Sequence, residues 1–161
     1  MNILSMMIRA ARPSRIKDMR AVAKPFWIPK GYDGLTFFGH IITHNLQDAE
    51  AFNRSFNAIK NHEMIHLYQA RSTHNSWLCF YWKYFVFWFK ASLGALAIRL
   101  KSRGKHRVTL PRNAGYVLNP FEIEAYRYMH DLHYLDDKEN GTNEWRRYAK
   151  MPLKERQLYY K

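Results

Sequence analysis

Asn61-His62-Glu63-Met64-Ile65-His66-Leu67-Tyr68-Gln69 contains the pattern H-E-x-x-H, and the organisation of the chain is read outward from it. On an α-helix His62 and His66 lie one turn apart, so both imidazoles project from the same side. That spacing suits two ligands of one tetrahedral Zn²⁺, with Glu63 placed to take a proton from a water on the metal. A pattern this short recurs by chance, so its surroundings must support it. Ala51, Phe52, Phe56, Ile59, Met64, Ile65 and Leu67 are apolar at spacings near 3.6, which predicts a helix from about Asp48 to Arg71. Asp48 or Asn53 is its candidate cap. The bland alternative is a buried, hydrogen-bonded histidine pair. Gln69, one turn beyond His66, reads either as a neighbour of the site or as a surface glutamine.

At 161 residues the chain is expected to be one domain. Its 26 Lys and Arg against 13 Asp and Glu give a net charge of +13, which favours anionic partners. The densest basic cluster is the loop from Lys101 to Asn119, rich in breakers. No nucleic-acid motif accompanies it, so no specific nucleic acid is expected; an anionic membrane surface is a candidate contact. The lone Cys79 excludes an intrachain disulfide and a cysteine-rich zinc site, and fits a reducing compartment. Met1 to Met7 is too short for the apolar core of a signal peptide. The expectation is a cytoplasmic protein, with membrane association as its variant. Nothing in the sequence sets an oligomeric state.

Residues 1–33 form a basic arm, interrupted by Pro13, Pro25 and Pro29, in which Leu4, Met7, Ile8 and Ala11 suggest a short amphipathic turn. Gly34 to His44 is β-branched and aromatic and is predicted as a strand. His40 and His44 are also four apart. In a strand they lie about 13 Å apart, too far to share an ion, so they are candidate substrate-side or solvent-side residues. An exposed edge here suits an extended peptide held by strand addition.

Trp77 to Leu100 carries only Lys83, Lys90 and Arg99 as charges. Lys83, Lys90 and Lys101 fall within about 20° of one line on a helix, which predicts a segment buried on most sides with one wet stripe. Three forms fit: a core helix, a helical hairpin hinged near Gly94, or an interfacial helix whose lysines snorkel. Core or hairpin is the leading reading. Two mid-segment lysines argue against spanning a bilayer. Asn119-Pro120-Phe121-Glu122 then reads as a helix start, with Asn119 as N-cap and Pro120 at N1. That helix is expected to run through Tyr128, Met129 and Leu132, as far as Leu135, and to end in the charged stretch Asp136 to Asn140 and Gly141. The last residues, with Trp145 and Tyr148, are expected to drape over the core.

Two histidines do not complete a catalytic zinc site. Glu122 and Glu124 are the candidate third ligands. Phe121, Ala125, Tyr128 and Leu132 define a buried face with the two carboxylates on opposite flanks, which leaves the choice between them open. His74, His106, His130 and His133 are weaker candidates.

H-E-M-I-H followed by E-I-E-A-Y resembles the H-E-x-x-H … E-x-x-A-D arrangement of gluzincin-type metallopeptidases. The fuller combination N-H-E-x-I-H-x-x-Q, aromatic segment, P-F-E-x-E-A-Y is similar to a group of small uncharacterised bacterial proteins of zincin-like type. The resemblance covers about residues 35–135. It implies His62, His66 and Glu122 as ligands of one zinc per chain and Glu63 as general base, with a peptide or protein as substrate. Tyr126 stands where the larger family has an Asp that supports a ligand; its hydroxyl is a candidate substitute, or an oxyanion stabiliser. The expected fold is α+β and predominantly α, a minimal zincin-like domain. It comprises a basic arm (1–33), a core (34–135) and a tail packing on the core (136–161). The expected activity is that of a zinc-dependent hydrolase, most simply a peptidase. The rival expectations are an inactive zincin-like interaction protein and a basic peripheral membrane protein.

Overall fold

The computed structural model describes residues 21–24, 34–37, 39–54, 57–101 and 110–159. The turn expected near Leu4 to Ala11 and most of the basic loop after Lys101 lie outside them. The described chain is mainly helical with one small sheet. Strands β1 (Ala21–Ala23), β2 (Gly34–Phe37) and β3 (His40–Thr43) lie in the order β1-β3-β2, with β3 parallel to β1 and antiparallel to β2. The single strand expected from Gly34 to His44 is therefore a hairpin. Gly39, at φ 82°, turns the chain so that Phe37 pairs with His40. That left-handed backbone is open to glycine at no steric cost, which explains the residue at this point. Ile41 and Ile42 are both buried although they point to opposite faces, because the central strand is covered on both sides. Two-sided burial gives a continuous apolar run and hides the turn from a periodicity argument.

The helix expected from Asp48 to Arg71 is two helices, α1 (Leu46–Arg54) and α2 (Ala58–Ser72). Asn57 is extended (φ −131°, ψ 176°), and its side chain accepts from the Lys60 N–H at 2.9 Å, capping α2. Neither Asp48 nor Asn53 caps the motif helix. Asn45 accepts from the Asp48 N–H at 2.8 Å to start α1. Asn53 instead clamps β1, accepting from the Ala21 N–H at 2.9 Å and donating to its carbonyl at 3.2 Å. Both helices bury apolar side chains (Ala49 and Phe52; Ile65, Leu67 and Ala70), whereas Ala51 and Ile59 of the expected apolar set are exposed.

Trp77–Lys101 is one unbroken helix of 25 residues, α3. Gly94 is no hinge. A Cβ there would meet the tip of the Leu153 side chain, so the glycine leaves room for the Leu153 side chain of α7 (Leu153–Arg156) against α3. Nor is the helix buried on most sides. Trp77, Phe80, Ala91 and Ala95 are its buried residues, whereas Leu78, Trp82, Phe85, Phe89, Leu93 and Leu96 are exposed. No helix among the described residues is long and apolar enough to cross a membrane.

After the short α4 (Ala114–Val117), Asn119 accepts from the Phe121 N–H at 3.1 Å and opens α5 (Pro120–Tyr128) with Pro120 in its first turn, as the sequence suggests. The helix stops at Tyr128 instead of running on to Leu132, which is 39% exposed and is not part of the buried core. The reason is tertiary. The Asn61 amide, fully buried, donates to the carbonyls of Tyr128, Met129 and Asp131 at 3.1, 3.1 and 2.8 Å. A residue of α2 thus satisfies the open C-terminal end of α5. Phe121 fills the centre of the core between Phe80, at 4.8 Å between ring centroids, and Trp145 of α6 (Trp145–Lys150), at 4.7 Å. Burying such a ring contributes roughly 1.5–3 kcal/mol.

Candidate metal centre

The packing of α2 against α5 decides the third ligand. His62, His66 and Glu122 are all buried, and each offers a ligand atom within 4.8 Å of the others. The two Nε2 atoms are 3.2 Å apart. Glu122 Oε2 is 3.5 Å from His62 Nε2, and Oε1 is 3.6 Å from His66 Nε2. Two zinc–nitrogen bonds of about 2.05 Å at a tetrahedral angle would set the nitrogens about 3.3 Å apart. The carboxylate separations are too long for good hydrogen bonds and suit ligands facing a shared cation. Glu122 Oε2 is moreover buried without a hydrogen-bond partner. A carboxylate lone pair left so is costly unless a cation takes it. The residues fit zinc: two imidazoles and a carboxylate are the donor set of a catalytic site with an open position.

Burial works against the charge on Glu122, but the two imidazoles and the Tyr84 hydroxyl, which donates to Oε1 at 2.7 Å, outweigh it and hold the carboxyl at about 2. Burial likewise disfavours a charged His62, yet Glu122 and Glu63 together raise it above 6.5. The site is therefore a negative socket for a cation. Glu63 is half-buried beside it and accepts from the Thr36 hydroxyl of β2.

Glu124 is no surface charge and no member of the cluster. It is fully buried and turned the other way, accepting from Gln69 Nε2 at 2.7 Å, Tyr134 Oη at 2.8 Å and the Glu144 N–H at 3.2 Å. Burial pushes its carboxyl up against those bonds. Gln69 is likewise not a surface residue; it is fully buried. Its Nε2 also donates to the Phe121 carbonyl at 2.9 Å, so its Oε1 is the atom that faces His66 Nδ1 at 2.8 Å. Nδ1 of His66 therefore carries the proton, and the Nε2 lone pair points at the cation position.

The arrangement around His62 differs. Its Nδ1 is buried without a hydrogen-bond partner, and the Tyr126 ring packs edge-on against its imidazole at 4.5 Å. The Tyr126 hydroxyl pairs with that of Tyr116 at 3.2 Å. Where the resembled metallopeptidases support a ligand through an Asp at this position, this chain supports His66 through Gln69 and Glu124.

His40 is exposed at the start of β3 and His44 follows the strand; neither joins the three-ligand cluster. His74, His130 and His133 also stand outside it, and His106 falls beyond the described residues. Sequence reasoning missed Thr36, Tyr84, Tyr116 and Tyr134, and no spacing in the chain signals them. Tyr84 in particular is indistinguishable in sequence from its aromatic neighbours on α3. His62-Glu63-x-x-His66 with the distal Glu122 is thus the ligand arrangement of a gluzincin-type zinc hydrolase, built as one buried site. No known protein family, curated protein or solved structure matches this chain.

Proposed function

We propose that the protein is a zinc-dependent peptidase whose general base is Glu63. The observation that carries this reading is the Thr36–Glu63 hydrogen bond, which ties the base to an edge strand of the sheet beside the three-ligand cluster. Zinc held by His62, His66 and Glu122 would supply a Lewis acid and lower the pKa of water to about 7. Glu63 would hold on its carboxylate the proton that water gives up as it attacks the peptide carbonyl, and would pass it to the leaving amine nitrogen. β2 is one of the two edge strands among the described residues, so an extended peptide aligned on it would run past Thr36 and hence past Glu63. His40, exposed where the hairpin turns, and His44 are the histidines nearest that edge in sequence, and we assign them to substrate contact. The Tyr126 and Tyr116 hydroxyls, paired beside His62, are the candidate donors to a developing oxyanion.

Glu63→Gln tests the assignment. It is expected to retain about one zinc per chain and to lose peptide hydrolysis by about a hundredfold or more. Undiminished hydrolysis in that variant removes Glu63 from the mechanism. Full zinc loading with no hydrolysis by the unaltered protein across a mixed peptide library would favour a zincin-like interaction protein instead.

A further inference from the structure

The outer face of α3 carries an apolar stripe that the rest of the described chain leaves uncovered. Leu78, Trp82, Phe85, Phe89, Leu93 and Leu96 repeat at i, i+4, i+7 and are each 47–67% exposed. They fall within about 80° of arc, and with Leu100 the stripe runs about 33 Å. Solvent-facing helix surfaces are ordinarily polar, and a continuous patch of this kind marks a contact surface. Phe85 stacks with Phe89 at 6.1 Å, so the stripe is already arranged without a partner.

Charge identifies what covers it. Lys83, Lys90 and Lys101 lie along one shoulder of the stripe, between it and the buried face, and none of the three is in an ion pair among the described residues. From Met64 to Phe121 the sequence contains no Asp or Glu, and the whole chain carries +13. We propose that α3 docks in the plane of an anionic lipid surface, with the apolar stripe among the acyl chains and the shoulder lysines at the headgroups. A second copy of this chain is the poorer occupant. Stripe-to-stripe pairing of two α3 helices would bring the lysine shoulders together with no carboxylate on either helix to meet them. The opposite face of α3 holds Tyr84 against Glu122, so docking leaves the metal centre on the side away from the lipid.

The experiment is flotation of the full chain with vesicles of phosphatidylcholine alone and of phosphatidylcholine containing about one-third phosphatidylglycerol, read together with tryptophan emission and sedimentation. Partition onto the anionic vesicles with a blue shift from Trp82 is expected. The double variant Lys83→Gln, Lys90→Gln should weaken that partition by about thirtyfold. Phe85→Ser with Phe89→Ser should weaken it by at least about tenfold. Zinc content and circular dichroism of both variants show whether the fold is kept; neither pair touches the metal ligands. Equal binding to both vesicle types would overturn the anionic assignment. A protein that ignores vesicles but forms a dimer lost in the Phe85, Phe89 variant would assign the stripe to a second copy and overturn the proposal. A monomer that ignores vesicles overturns it too, leaving the stripe to be covered by other parts of the chain.

Discussion

Gln69 and Glu124 meet across 2.7 Å in the fully buried space behind the metal centre, amide to carboxylate. The bond fixes more than a contact. With Nε2 of Gln69 committed to Glu124 and to the Phe121 carbonyl, only its oxygen is left for His66, and the tautomer of that ligand follows. A glutamine one helical turn past the motif thus sets which imidazole nitrogen faces the cation.

Gln69→Leu removes that orientation while keeping much of the volume. Zinc affinity is expected to fall about 10–100-fold, the usual cost of losing a partner that orients a ligand. Stability should fall by about 1–3 kcal/mol, because Glu124 loses a donor in a buried position. Competition with a chromophoric chelator and urea unfolding measure the two effects. Unchanged affinity would show that His66 needs no support from Gln69.

The two late carboxylates separate cleanly. Glu122→Ala is expected to weaken zinc binding by roughly a hundredfold or more, since a protein ligand is lost. Glu124→Gln should keep about one zinc per chain and lose stability instead. Metal analysis after dialysis decides it, and the reverse pattern would exchange their roles.

Asn61→Ala leaves three carbonyls at the end of α5 without their donor. A loss of about 1–3 kcal/mol in chemical unfolding is expected. Asn61→Asp should be worse than alanine, because an ionised carboxylate brings only acceptors to a site made of acceptors. Zinc at saturating concentration should still bind the alanine variant.

Histidines inside and outside the centre should be distinguishable by titration. His133 is exposed, and its hydrogen bond to Asp136 at 2.9 Å raises its pKa above 6.5. In zinc-loaded protein its imidazole resonances should move with pH through that raised value, and Asp136→Asn should bring the midpoint back down. The His62 and His66 resonances should stay still over the same range, since a metal-bound nitrogen takes no proton. A titrating His66 in loaded protein would remove it from the ligand set.

Local spacing in the chain was enough to recognise the pair His62 and His66, the base beside them and the capped start at Asn119-Pro120. Each depends on residues within one or two helical turns, where backbone geometry alone sets direction. The choice of Glu122 over Glu124 was not legible from α5, because that helix is enclosed on several sides and both carboxylates are buried. Only its docking on α2, held by Asn61 at one end and Gln69 at the other, turns Glu122 toward the histidines. The hairpin at Gly39, the break at Asn57 and the exposed stripe of α3 were hidden for a related reason. Apolar periodicity reports that a side chain avoids water in some setting, not which surface provides the cover. That surface exists only once distant segments have packed, and for α3 the described chain does not supply it.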